Sequence, residues 1–185
     1  TEIYTLSLHD ALPISKRAVE AALRAGPMAH TILQAPHFRE DWLAAPTGVN
    51  PQTGAMKTFG GGAAPIAWIA RDDVRDAVCA SLEAPQARNR TLRIGGPEAL
   101  SQAEVIARCE RLAGRPIPRE DTPLAEIEGM AASDHPLMRT FAGLMRACAE
   151  GGCTVDNGEA AAVLGFRPRP IDDHLAALVS SLPAA

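Results

Sequence analysis

Aromatic residues are scarce in this chain: two Trp, one Tyr and four Phe among 185 residues. No cluster of Lys or Arg accompanies them, and the net charge is −4. The sequence therefore offers neither stacking platforms nor a phosphate-neutralising face, which argues against nucleic acid as a partner. No apolar run approaches the ~18 residues of a membrane-spanning helix, so no membrane partner is expected. Cys79, Cys109, Cys148 and Cys153 form no C-x-x-C pair and no zinc-ribbon spacing. They read as buried thiols in a reducing, cytoplasmic compartment. His9, His30, His37, His135 and His174 show no ligand interval, and no metal site is expected. Also missing is a Gly-rich strand-to-helix turn of the kind that cradles a pyrophosphate.

What is present suits a globular domain, with 46% hydrophobic and 22% charged residues. Periodicity predicts a helix over 16–25, with Ala18, Val19, Ala22 and Leu23 on an apolar face and a Glu20–Arg24 pair on the other. Gly26 and Pro27 end it. The β-branched run 30–35 (HTILQA) reads as a buried parallel strand stopped by Pro36, and a short helix follows over 38–44. Residues 45–63 are rich in Pro and Gly and read as a flexible loop, since nothing after Gly60-Gly61-Gly62 completes a phosphate-binding motif. A second strand is predicted over 65–70 (PIAWIA), then a helix capped by Asp72 or Asp73 with Val74, Ala77, Val78 and Leu82 on its buried face. A third strand over 89–94 turns at Gly95-Gly96-Pro97.

Ser101 and Glu104 have capping-box spacing, and Gly114 ends the helix they open. Residues 116–122 read as an extended connection. Beyond it the pattern is helical, over 124–132, 136–149, 157–164 and 171–182. The expected fold class is α/β, with a parallel sheet joined to a mainly helical C-terminal cap. The expected division is a separate N-terminal segment 1–15, an α/β body over 16–121 and a helical cap over 122–185.

Several ordered motifs resemble the NmrA-like, atypical short-chain dehydrogenase/reductase proteins. They are Lys16, Val19, Glu20, Leu23 and Gly26, then Thr31-Ile32-Leu33 with Pro36 and Phe38. Ile66, Ile69, Arg71, Asp73 and Val74 follow, then Gly96-Pro97-Glu98-Ala99-Leu100-Ser101 and Gly114-Arg115. Leu164-Gly165-Phe166-Arg167-Pro168 is similar to the closing segment of such proteins. Residues 1–14 (TEIYTLSLHDALPI) resemble the translation of a sequencing-library adapter, which predicts that 1–15 is foreign and that native sequence begins at Lys16, in mid-domain. The other reading is a genuine short amphipathic N-terminus. On the adapter reading, the strand at 30–35 is expected to lack at least one neighbour.

The resemblance implies the C-terminal part of a Rossmann-like fold whose parent binds NAD(P), with the Gly-rich turn and the ribose reader upstream of Lys16. It implies that Lys16 binds the nicotinamide ribose, four residues after a Tyr or His; here that earlier position is Leu12, so no acid/base partner is identified. Lys16 also reads as an ordinary solvated lysine at a helix start. The loop Pro36-His37-Phe38 is implied to approach the nicotinamide. His37 is a candidate proton donor, against the competing reading of an exposed loop histidine. Trp42 and Trp68 either line a substrate pocket or pack in the core. The implied parent is an NAD(P)H-dependent oxidoreductase with a small carbonyl, quinone or imine substrate. The alternative is a non-catalytic dinucleotide sensor with a regulated protein partner. These 185 residues alone are expected neither to bind the dinucleotide nor to be active.

Overall fold

The computed structural model describes residues 3–6, 14–151 and 153–183. In chain order its elements are β1 (Ile3–Leu6), α1 (Ile14–Ala25), β2 (Thr31–Gln34), α2 (Arg39–Trp42), β3 (Met56–Phe59) and α3 (Arg71–Glu83). After a single 3₁₀ turn come β4 (Arg90–Arg93), α4 (Gln102–Ala113), β5 (Arg119–Thr122), α5 (Leu124–Ala131), α6 (Pro136–Glu150), α7 (Gly158–Leu164) and α8 (Asp172–Ser181). The fold is α/β with two small parallel sheets.

In the first sheet β2 lies between β1 and β4, with Thr31 opposite both Ile3 and Arg90. β2 therefore has a neighbour on each side, contrary to the expectation that it lacks one. Its residues Thr31, Ile32 and Leu33 are buried, as the apolar run requires. α1 covers this sheet differently from its apolar pattern. Ala18 and Ala22 are exposed, while Glu20 is buried with Leu23. Glu20 keeps its predicted pair with Arg24 at 2.7 Å and also accepts from Gln34 Nε2 at 2.9 Å. A buried carboxylate needs such partners, and β2 supplies the second.

The second sheet corrects the loop expected over 45–63. Met56–Phe59 pairs in parallel with Arg119–Thr122, the segment expected to be merely extended. Two cores result. One lies between β2, β4, α3 and α7 around Leu33, Ile69 and Leu92. The other gathers Phe59, Ile66, Trp68, Ile106 and Leu175 beneath α4, α6 and α8.

The strand expected over 65–70 is absent as a ladder. Residues 66–70 are buried between the two cores, bent where the Trp68 amide donates to Ile66 O at 3.1 Å, and change partner every few residues. Ile66 exchanges hydrogen bonds with Leu100, the amide of Ala67 donates to Cys153 O, and Ile69 pairs with His37 and Arg39. Its backbone groups are satisfied without a continuous neighbour.

The capping box stands as expected, with Ser101 and Glu104 bonded reciprocally and Gly114 left-handed at the end of α4. The cap of α3 does not. Ala70 occupies that position, and Glu40 Oε2 accepts from the Arg71 amide at 3.1 Å, so a neighbouring helix supplies what Asp72 or Asp73 was expected to give. The four C-terminal helices appear where predicted. α5 packs on α6, but α7 returns to α3 and β4, and α8 to α4.

Candidate functional site

In parallel α/β folds, ligands meet the carboxyl ends of the strands. Here the chain leaving β2 passes through Ala35, Pro36, His37 and Phe38 before α2 begins. Pro36 is buried and Phe38 half-buried. His37 is 1% exposed, which corrects the loop-histidine reading. Its ring stands edge-on to Trp42 at 4.7 Å and to Trp68 at 6.0 Å, and its Nε2 lies 3.3 Å from Cys148 Sγ on α6.

This His–Cys contact is not an activated nucleophile. Burial drives the Cys148 thiol far above its ordinary range, and nearby Cys153 adds to the effect. A thiol so placed stays neutral, whereas nucleophilic cysteines are pushed the other way. Cys109 is raised to about 11 and Cys153 to about 12, both chiefly by burial. Three of the four thiols are thus inert core residues, as the sequence suggested, and Cys79 is exposed.

Trp68 belongs to the core. It is 1% exposed, and its indole N–H donates to Leu100 O at 2.8 Å. Trp42 differs, being half-buried, with its ring edge-on to Phe59 at 6.2 Å. With Glu40, Asp41, Ala45, Pro46, Thr47, Phe141 and Leu144 it lines a groove of about 370 Å³ between α2, the following loop and α6. Sequence reasoning missed Phe141 and Leu144. The available signal was the excess of apolar residues at the start of α6 over those its buried face needs, for Leu137, Met138 and Phe141 all remain exposed. The side chain of Lys16, and Leu12, lie outside the described residues.

A bound dinucleotide needs free backbone N–H groups for its pyrophosphate. The described glycine turns do not supply them. Gly60, Gly61 and Gly62 are all left-handed, but their amides donate to Thr122 O, Asp121 Oδ1 and Phe59 O. Gly95 N–H donates to Asn157 Oδ1 at 2.8 Å, and Gly96 N–H to Ala67 O. A Cβ on Gly96 would stand 2.0 Å from Trp68 O, so this glycine permits close backbone packing and not ligand approach. The N-terminus of α4 already holds the Glu104 carboxylate, which two bonds from Ser101 keep below its usual range. The N-terminus of α3 holds Glu40. These glycine turns and the two helix N-termini therefore do not fit a pyrophosphate. Among them there is also no trio of His, Cys, Asp or Glu able to hold a metal ion, and no helix long and apolar enough to cross a membrane.

No protein-family model matches the chain. Solved structures do. An NADPH-dependent quinone oxidoreductase from Escherichia coli superposes with a TM-score of 0.73 at 18% identity, over 95% of this chain and 66% of that one. The triphenylmethane reductase of a Citrobacter species gives 0.73 at 16% identity, over 96% and 64%. The leucoanthocyanidin reductase of Vitis vinifera, in complex with NADPH, gives 0.72 at 14%, over 97% and 66%. The chain has the Rossmann-like fold of NAD(P)-dependent reductases. It spans just under two thirds of the length of the structures it matches.

Proposed function

We propose that the chain from Lys16 onward is the nicotinamide- and substrate-side portion of an NAD(P)H-dependent, NmrA-like reductase of the cytoplasm, acting on a small carbonyl, quinone or imine. The observation that carries this reading is the likeness of nearly the whole chain to reductases that are themselves dependent on, or complexed with, NADPH. The motif order from Lys16 through Arg115 supports it. The committed glycine amides support the further reading that these 185 residues alone hold no dinucleotide and turn over no substrate, the pyrophosphate being bound by sequence upstream of Lys16. Lys16, Pro36 and Phe38 remain the residues proposed to face the nicotinamide. His37 is withdrawn from proton donation, because a group 1% exposed and wedged between two indoles does not reach a substrate.

That withdrawal favours a second reading. With His37 buried, the β2 loop presents no proton donor, and a non-catalytic dinucleotide sensor that relays redox state to a protein partner needs none. The genomic reading frame that encodes Lys16 onward separates the two readings. Expressed whole, a reductase consumes NADPH with a panel of quinones, aldehydes and imines, whereas a sensor binds NADPH and consumes none.

A further inference from the structure

We propose that Asn157-Gly158 is a site of spontaneous hydrolytic deamidation that the folded chain holds closed, and that its conversion releases the Gly95-Gly96 turn from α7. The chain has three asparagines, and the residue after each decides what it can do. Asn50 precedes Pro51, which has no N–H to act as nucleophile, and Asn89 precedes the bulky Arg90. Only Asn157 precedes a glycine, which has no side chain to hinder attack by its amide nitrogen. The reaction consumes water and needs no other partner. The Gly158 nitrogen loses its proton to solvent and bonds to Asn157 Cγ; the Cγ–Nδ2 bond breaks, and the leaving nitrogen takes up a proton and departs as ammonia. Water then opens the succinimide at either carbonyl, leaving aspartate or isoaspartate at 157.

The fold engages every atom that takes part. Asn157 is half-buried, its Oδ1 accepts from the Gly95 N–H at 2.8 Å, and its Nδ2 donates to Gly96 O at 3.0 Å. The Gly158 N–H donates to Asp156 Oδ1 at 2.9 Å, and a carboxylate there opposes loss of that proton. Closing the five-membered ring requires Asn157 Cβ to eclipse the Gly158 nitrogen. At the observed ψ of 0° the nitrogen of Asn157 itself eclipses it instead. The Asn157 carbonyl is fixed as well, accepting from the Ala161 N–H at 2.8 Å. Chemistry therefore waits until α7 lets go of the turn, and afterwards the clamp cannot re-form. An aspartate still accepts from Gly95, but it sets a second acceptor where Nδ2 donated, so Gly96 O loses its donor and meets a charge. Isoaspartate adds a methylene to the main chain besides. Because α7 packs on β4 and α3, the break falls where α7 joins the first sheet.

The test incubates the 185-residue chain in mildly alkaline buffer, folded and in denaturing urea, and follows residue 157 by peptide mass spectrometry with Asn89 as internal comparator. In urea, Asn157 is expected to convert faster than Asn89. In the folded chain its conversion is expected to be slower by about tenfold or more, because a reaction of the opened form tracks how much of it is present. Amide exchange at Gly95 is expected to quicken in parallel with conversion as sub-denaturing urea is added, since one opening frees both groups. Asn157→Asp, which makes the product directly, is expected to melt below the parent or without cooperativity. Equal rates at 157 in the two conditions, no excess over Asn89 in urea, or Gly95 exchange that does not follow conversion overturns the closed site. These readouts use the unmodified chain, so they stand whether or not the variant folds. An Asn157→Asp melt equal to that of the parent overturns the release of the turn.

Discussion

Asp73 and Arg169 lock the C-terminal strap onto the body of the fold. Asp73 is 1% exposed and accepts from the Arg169 guanidinium at 2.6 Å and from its backbone N–H at 3.2 Å. Arg39, itself buried, fixes the next residue by donating to Pro170 O at 2.8 Å. The strap joining α7 to α8 is therefore held to α3 and α2 together, and with it the start of the helix that bears Trp42.

Breaking this lock is expected to destabilise the protein. Asp73→Ala removes the acceptor of both the Arg169 guanidinium and its backbone N–H, and should lower the unfolding free energy by about 1–3 kcal/mol. Arg169→Ala should cost less, because its side chain is 43% exposed and the backbone bond to Asp73 survives. Urea melts of both variants and of the double variant check this, with the double falling short of the sum.

His174, on α8, gives the stability a pH dependence. Burial first, and then the charge of Arg39, depress its pKa, partly opposed by Glu40 and a backbone bond to Arg39. A depressed histidine favours the folded state in its neutral form. Its contribution is complete above the unfolded value of ~6.5 and is lost as pH falls through that value toward the folded one. Thermal melts should show Tm declining below about pH 6.5, with the slope reduced in His174→Gln.

Two glycines separate steric from conformational need. Gly96→Ala forces a Cβ against the Trp68 carbonyl and should abolish a cooperative melt, since the obstacle is backbone. Gly61→Ala meets no neighbour within 4 Å, but it must hold φ at +81°, so it should cost about 1–2 kcal/mol. Circular dichroism melts of the two variants check this contrast.

Local signals carried much of the fold. The capping box at Ser101, the glycine stop at Gly114 and the four C-terminal helices were legible because each is set within a few residues. The PIAWIA segment was not, since apolar alternation reports burial and not which backbone lies alongside, and three different partners satisfy it. β3 escaped for a related reason: a four-residue strand inside a Pro/Gly-rich stretch depends on β5, some sixty residues later. The site divides in the same way. Trp42 was legible as pocket or core, but its groove needed Phe141 from α6, and only tertiary contact shows that His37 is sealed between two indoles. Glu40 as the cap of α3 is equally a matter of tertiary contact, because caps are sought beside the helix they serve.

We propose a parent that binds NAD(P), although the Gly60–Gly62 and Gly95–Gly96 amides of this chain are already hydrogen-bonded within the protein. Calorimetric titration of NADPH tests it most directly, performed on the 185-residue chain and on the product of the genomic reading frame that encodes Lys16 onward. Saturable binding by the latter and none by the former is expected. Binding by the 185 residues alone, or by neither protein, would contradict it.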